Sequence, residues 1–204
     1  MTACILIAGM PASGKSTFAR MLTEALDVPC FSKDAIKESL YDALGFRSRA
    51  EKVRLGEAAY RVQLDLAVPL LCAGKTVALE NNFEDVSIPL LMKILDRCSC
   101  TPVTVLLDGD PAVIWQRFVR RDQSPDRHRG HVVNTEYPER SPASYVPMTL
   151  DVFLEMVQSR GFRRFDMGGP RKIVNATDPE SVDWPAVLDW VRAQLLSIQG
   201  DLHA

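Results

Sequence analysis

ACILIAGMPASGKSTFARMLTEAL, residues 3–26, decides how this chain is read. Residues 3–8 (ACILIA) form a compact apolar run of strand character, and residues 18–26 (FARMLTEAL) are helix-like. Between them GMPASGKST, residues 9–17, breaks the strand with Gly9, Pro11 and Gly14 and then sets Lys15 beside the hydroxyls of Ser16 and Thr17. Gly9 to Ser16 fits the spacing G-x-x-x-x-G-K-[ST], with a strand before it and a helix after it. Glycines in such a loop let successive backbone N–H groups face inward, and the N-terminus of the following helix adds partial positive charge. Gly9, Pro11, Ala12, Ser13, Gly14, Lys15, Ser16 and Thr17 are therefore expected to cradle a polyphosphate, with Lys15 reaching its β- and γ-phosphates and Ser16 ligating Mg2+.

The remainder of the chain suits that loop. Short β-type runs at 3–8, 75–80 and 102–107, with weaker ones at 28–31 and 171–175, alternate with helical stretches. Parallel neighbours need crossover connections, so the alternation predicts an α/β chain with a mostly parallel central sheet and helices on both faces; with the phosphate loop at the end of its first strand, the expectation is a three-layer P-loop NTPase fold. Ligands on such sheets sit at the carboxyl ends of the strands. Residues 49–73 place Leu55, Ala59, Val62, Leu66 and Leu70 at spacings of three and four, which predicts a long helix with those residues on its core face and Gly74 as its stop. Asp110 and Pro111 open another helix as N-cap and first residue, and Val187, Leu188, Val191, Leu195 and Ile198 line the last. The irregular stretch 123–148, with prolines at 125, 138, 142 and 147, is long for a compact domain and such loops are usually functional or disordered. The 204 residues are expected to form one domain, 1–204, with a small Arg-rich lid and substrate loop at about 120–148.

Composition excludes several classes. A formal net charge of -2 supplies no global basic field to concentrate nucleic acid or anionic lipid, so any such binding must be local. The 5 cysteines are odd in number, lie mostly in apolar runs and form no CxxC pair, which predicts reduced core thiols. No apolar stretch is long enough to span a membrane, and the N-terminal run has no basic segment before it and is cut short by the glycine loop. The expected location is the cytoplasm.

Candidate catalytic residues follow from what phosphoryl transfer needs. Glu80, closing the run TVALE, stands where a strand-end acid would help hold the metal. Asp34, in FSKDAIKESL, lies just past the second strand and is the candidate base toward an acceptor hydroxyl; the competing reading makes it a first-turn helix acid behind a Ser32 cap. Lys37, one turn on, is placed to touch substrate or phosphate. GTPase base-reading motifs of the N-K-x-D type are absent. QRFVRRDQSPDRHRGH carries Arg117, Arg120, Arg121, Arg127 and Arg129, of which Arg117 and Arg120 read as a solvated helix face, while Arg121 and Arg127 are the candidates for closing over phosphate. His128 and His131 could hydrogen-bond substrate, although histidines in surface loops are usually idle.

Taken together, GMPASGKST, SKDAIKESL, VALENNF and RRDQSPDRHRGH resemble the P-loop kinase family known as an AAA-type ATPase domain, whose relatives include polynucleotide 5'-hydroxyl kinases, zeta toxins and chloramphenicol phosphotransferase. The resemblance runs from residue 3 to about 180. It implies ATP and Mg2+ as cofactors, Asp34 as base, lid arginines such as Arg121 and Arg127 on the ATP phosphates, and a loop from Asn175 to Pro179, with Asn175 and Asp178, against the adenine. It departs from the family in placing Glu80 where relatives commonly carry Asp, and in lacking a recognisable phosphatase or ligase partner domain. The activity implied is transfer of the γ-phosphoryl group of Mg-ATP to a hydroxyl of a small molecule. A polynucleotide 5'-hydroxyl kinase is the alternative and would need a local basic patch such as Arg160, Arg163, Arg164, Arg171 and Lys172. An ATP-binding switch or toxin-type interaction protein is the alternative of another class.

Overall fold

Apolar residues on both sides of β1 (Thr2–Gly9) make it a strand buried on two faces, and the sheet is built around it. The computed structural model describes residues 2–141 and 145–200. Five parallel strands lie in the order β2 (Cys30–Ser32), β3 (Val77–Glu80), β1, β4 (Cys100–Asp108), β5 (Arg171–Asn175). Cys4, Leu6 and Ala8 pack with Val77, Leu79 and Leu106 against α3 (Arg49–Cys72) and α4 (Ile88–Arg97). Ile5 and Ile7, of opposite parity, pack with Ala78, Val105 and Leu107 against α1 (Lys15–Leu26) and α8 (Trp184–Gly200). The alternation follows from the period of two along a strand. The three-layer architecture expected from the sequence is thereby realised.

Four further helices among the described residues complete the fold. α2 (Lys33–Leu44) follows β2 directly, with the Ser32 hydroxyl accepting from the Ala35 amide as its cap. α5 (Pro111–Asp122), capped by Asp110, packs with α7 (Leu150–Arg160) around Met10, Ile114, Phe153, Val157 and Phe162. The short α6 (Arg129–Val132) lies within the irregular stretch and is held to α2 by a cluster of Tyr41, Phe46 and Val133. Phe46 and Tyr137 exchange backbone hydrogen bonds of 2.8 Å, so this stretch is fastened to the body of the molecule rather than loose. Pro142, one of the four prolines that mark it, lies outside the described residues.

Two expectations are corrected. The core face of α3 is Ala59, Gln63, Leu64, Ala67 and Leu71, whereas Val62 and Leu66 are exposed. The apolar spacing misled because a polar residue occupies the buried stripe: Gln63 Nε2 donates to Phe31 O at 2.7 Å and Glu80 O at 2.9 Å, which satisfies strand-end carbonyls at the sheet's edge. The cysteines are not all reduced either. Cys72 at the end of α3 and Cys98 at the end of α4 form a disulfide with Cα atoms 4.5 Å apart, because the two helices pack side by side on one face of the sheet and finish together. Cys4, Cys30 and Cys100 are free thiols, and burial pushes the Cys4 thiol well up. No helix among the described residues is long and apolar enough to cross a membrane.

Phe83 and Phe165 stack with ring centroids 4.7 Å apart, both fully buried beside α3 and α4. Phe165→Ala should lower the free energy of unfolding by about 3–5 kcal/mol, read as a lower urea midpoint with unchanged slope.

Candidate active site

The chain leaves β1 at Gly9 with φ 135°, and a Cβ there would stand 2.2 Å from the Leu107 carbonyl oxygen. Only glycine fits so close an approach of two strand ends. The loop closes through the Ser13 amide, which donates to Met10 O at 3.2 Å, and Gly14 at φ 98° forms the N-cap of α1. Lys15, the first residue of α1, is buried and folds back so that Nζ donates to Gly9 O at 3.0 Å and Met10 O at 2.7 Å. Burial lowers its pKa to about 8, against the pull of Glu80 and Asp34 and with the push of Arg121. Its ammonium is thus held by two neutral carbonyls at the mouth of a helix N-terminus, a place where anionic oxygens are far better partners.

Parallel pairing of β1 with β3 sets Ile7 opposite Glu80, which delivers that carboxylate to the same edge. Ser16 Oγ donates to Glu80 Oε1 at 3.1 Å, while Glu80 Oε2 is buried without a partner. Mg2+ takes oxygen ligands and commonly keeps several waters, needing only one or two protein donors beside substrate phosphates. A serine hydroxyl and an orphaned carboxylate oxygen meeting at the phosphate loop fit that ion. Gln63, through its bond to Glu80 O, fixes the backbone that presents the carboxylate.

Two adjoining clefts open here. One, about 260 Å3, is lined by Pro11, Ala12, Gly14, Lys15, Ser16 and Thr17 on the loop side and by Asp34, Glu80, Asn82, Arg117 and Arg121 opposite. The other, about 540 Å3, shares Ser16, Asp34, Glu80 and Arg121 and adds Ser32, Glu38 and Arg127 among its walls. Asp34 therefore stands where the two meet, in the first turn of α2, and the Ser32 cap and the site position hold together. Burial would raise the Asp34 pKa, but His131, Lys37, Arg127 and Lys33 outweigh it and hold the carboxyl below its ordinary range. It is a carboxylate at neutral pH. Arg127 is anchored by Asp122 at 3.3 Å and Glu38 at 3.9 Å, and Arg121 lies 3.6 Å from Asp122. Burial lowers the Arg121 pKa and Arg127 adds to it, with Asp122 and Asp34 opposing; both guanidiniums line the larger cleft.

Several residues sit otherwise than the sequence suggested. Arg117 is not on a solvated face: it lines the first cleft and donates from Nη2 to Ala176 O at 2.5 Å, because α5 crosses the sheet edge beside the loop after β5. That contact links the cleft to the loop carrying Asn175 and Asp178, which themselves line neither cleft; Asn175 Oδ1 accepts from the Thr177 amide and Asp178 Oδ1 from the Glu180 amide. The histidines are engaged rather than idle. His131 Nε2 bonds Glu38 Oε1 at 2.8 Å and His128 Nε2 bonds Asp42 Oδ1 at 3.0 Å, both reaching across to α2. Burial lowers the His131 pKa, against its hydrogen bond to Glu38 and the charge of Asp34. The arginines of the suggested basic patch are neutralised by ion pairs: Arg160 with Glu84, Arg163 with Asp108, Arg164 with Asp85 and Arg171 with Asp166. Asn82 and Lys52 had no signal in the sequence. Lys52 is 5% exposed and its Nζ donates to His131 O at 2.7 Å, Val133 O at 2.5 Å and Asn134 Oδ1 at 3.1 Å, tying α6 and the residues after it to α3.

A family model described as AAA domain matches residues 4–136. Among solved structures, a Chloroflexus aurantiacus protein provisionally described as a kinase is 31% identical, with TM-score 0.77, covering 94% of this chain and 97% of that one. A sugar kinase from Janibacter sp. shares the fold at 13% identity and TM-score 0.56, covering 97% and 96% of the two chains. A shikimate kinase from Bacteroides thetaiotaomicron does so at 15% identity and TM-score 0.53, covering 95% and 98%. No curated protein matches the chain.

The depressed Lys15 pKa carries a sign that calorimetry can read. A polyphosphate binds the ammonium form and restores its pKa toward 10.5, so binding at pH 8–9 should take up protons, and affinity for ATP should weaken as pH rises above about 8. Titrations in buffers of different ionisation enthalpy should show that uptake, and Lys15→Met should abolish it.

Proposed function

The chain belongs to the AAA-domain family of P-loop kinases, and from that premise we propose that it transfers the γ-phosphoryl group of Mg-ATP to a hydroxyl of a small molecule, residues 1–204 acting as one kinase domain with its lid at about 120–148. The observation that carries the reading is the place of Asp34. An ionised carboxylate at the junction of a phosphate-loop cleft and a second, larger cleft is what an acceptor hydroxyl must meet to be aligned in line with the transferring group.

In this reading the loop amides and Lys15 hold the phosphates, and Ser16 with Glu80 would hold Mg2+, which when bound neutralises phosphate charge. Asp34 accepts a hydrogen bond from the acceptor hydroxyl and takes its proton as the new P–O bond forms. The bond from the γ-phosphorus to the bridging oxygen breaks, ADP leaves with that oxygen, and the proton passes from Asp34 to solvent. Arg121 and Arg127 offset the charge that spreads over the phosphoryl oxygens, and Arg117 steadies the first cleft against the loop of Asn175 and Asp178, where the adenine would rest. Solved structures of similar fold are described as a sugar kinase, a gluconokinase and a shikimate kinase, which favours a metabolite as acceptor. A polynucleotide acceptor is disfavoured by the ion pairs that neutralise the arginine patch.

ADP release with Mg-ATP should be stimulated by one class in a panel of hydroxyl compounds. Asp34→Asn should cut that stimulated kcat by about 10²–10⁴-fold, the usual worth of a positioned base, while ATP binding persists. Stimulation that survives Asp34→Asn in full would remove Asp34 from the reaction.

A further inference from the structure

On the α2 face that carries Asp34, three and seven residues further along, stand Lys37 and Tyr41. These spacings place the three side chains in a row on one side of the helix. The cations around them are mostly committed. Lys52 is spent on lid carbonyls and Asn134, Arg49 donates to Asn134 Oδ1 at 2.6 Å, and Arg127 is paired with Asp122 and Glu38. Lys37 is different. Its Nζ has no hydrogen bond or ion pair to another described residue; it lies 5.4 Å from the centre of the Tyr41 ring, and its Cε lies 3.5 Å from where a Cβ on Gly56 of α3 would be. Lys37 thus packs beside Gly56, between the two helices. The Tyr41 hydroxyl, fully buried, is likewise without a hydrogen-bond partner among the described residues. Burial lowers the Lys37 pKa to about 8, with Lys33, Arg49 and Arg127 adding to the effect and Asp34 as the opposing anion.

A desolvated ammonium and a phenol O–H, both short of acceptors beside the proposed base, form a receptor for negative oxygen. Resting on the phosphotransfer reading above, we propose that the acceptor carries an anionic group, a carboxylate or a phosphate, which docks on Lys37 and the Tyr41 hydroxyl while its reacting hydroxyl meets Asp34. Lys37 is then a specificity-determining residue: it selects among hydroxyl compounds by charge. The neighbouring cations set the same preference at longer range, since Lys33, Arg49, Lys52 and Arg127 all face this part of α2 and repel a cationic acceptor.

The test uses the full chain with Mg2+ and a non-hydrolysable ATP analogue, and measures binding of compounds paired to differ in their anion: gluconate against sorbitol for a carboxylate, glucose 6-phosphate against glucose for a phosphate. At least one anionic member should bind about tenfold or more tightly than its neutral partner. Lys37→Met should erase that preference and Lys37→Arg should retain part of it, with the ATP analogue binding all three proteins alike. The pair that shows the preference identifies the anion. Absence of an anionic preference in every pair, or its persistence in Lys37→Met, overturns the assignment. Failure of the phosphotransfer reading shows separately, as loss of analogue binding by the wild type or as no ADP release with any acceptor, charged or neutral.

Discussion

The structure turns on how β1 leaves the sheet. A strand buried on both faces must give up its hydrogen-bonded neighbours within a few residues and hand the chain to a helix that starts at the sheet's edge. Gly9 permits this because β4 runs so close that its Leu107 carbonyl would collide with any side chain. Gly14 then starts α1 from the left-handed region. Between the two, the loop closes on itself, the Ser13 amide donating to Met10 O. The phosphate cleft is the consequence of that exit, and Lys15 is drawn into it by the carbonyls the turn leaves over.

Charge is distributed about this exit with an economy that follows from burial. Lys15 pays desolvation and is held only by neutral carbonyls. Asp34, across the cleft, is kept ionised by more cations than it can pair with. Acids elsewhere in the site are engaged: Glu38 by His131, Asp122 by Arg127, and one oxygen of Glu80 by Ser16. What is left over is positive charge on either side of one carboxylate, with an unpaired carboxylate oxygen on Glu80. That pattern suits two anionic partners and a divalent cation meeting near Asp34.

The described part of the segment 123–148 is held in place by other elements. Its prolines and charges mark irregular backbone, and nothing in residues 123–148 by themselves says whether it is free or fastened. The fastening comes from other elements: Tyr41 and Phe46 supply an aromatic seat, Glu38 and Asp42 receive the two histidines, and Lys52 takes carbonyls at the end of α6. A lysine in the first turn of a long helix, as Lys52 is in α3, is ordinarily a solvated residue, so its burial has no signature in the sequence. The same limit misdirected the core face of α3, where Gln63 replaces an apolar residue because two strand-end carbonyls need a donor.

Elements whose physics is local were legible from the amino acids alone. The phosphate loop, the three strong strands, the cap at Asp110 and the parallel alternation follow from glycine conformations, apolar runs and capping chemistry, each confined to a few neighbouring residues. Asp34 and Glu80 were legible as candidates because each closes or follows a strand whose direction the alternation implies. Their meeting was not, for it depends on the strand order β2-β3-β1 and on the register that sets Glu80 beside Ile7. The Cys72–Cys98 bond, the inward turn of Arg117 and the placing of Lys37 over the Tyr41 ring with no ion pair among the described residues belong to the same class. Each is a relation between residues far apart in sequence, and only packing of helices on a common sheet brings such residues within bonding distance or leaves one of them without a partner.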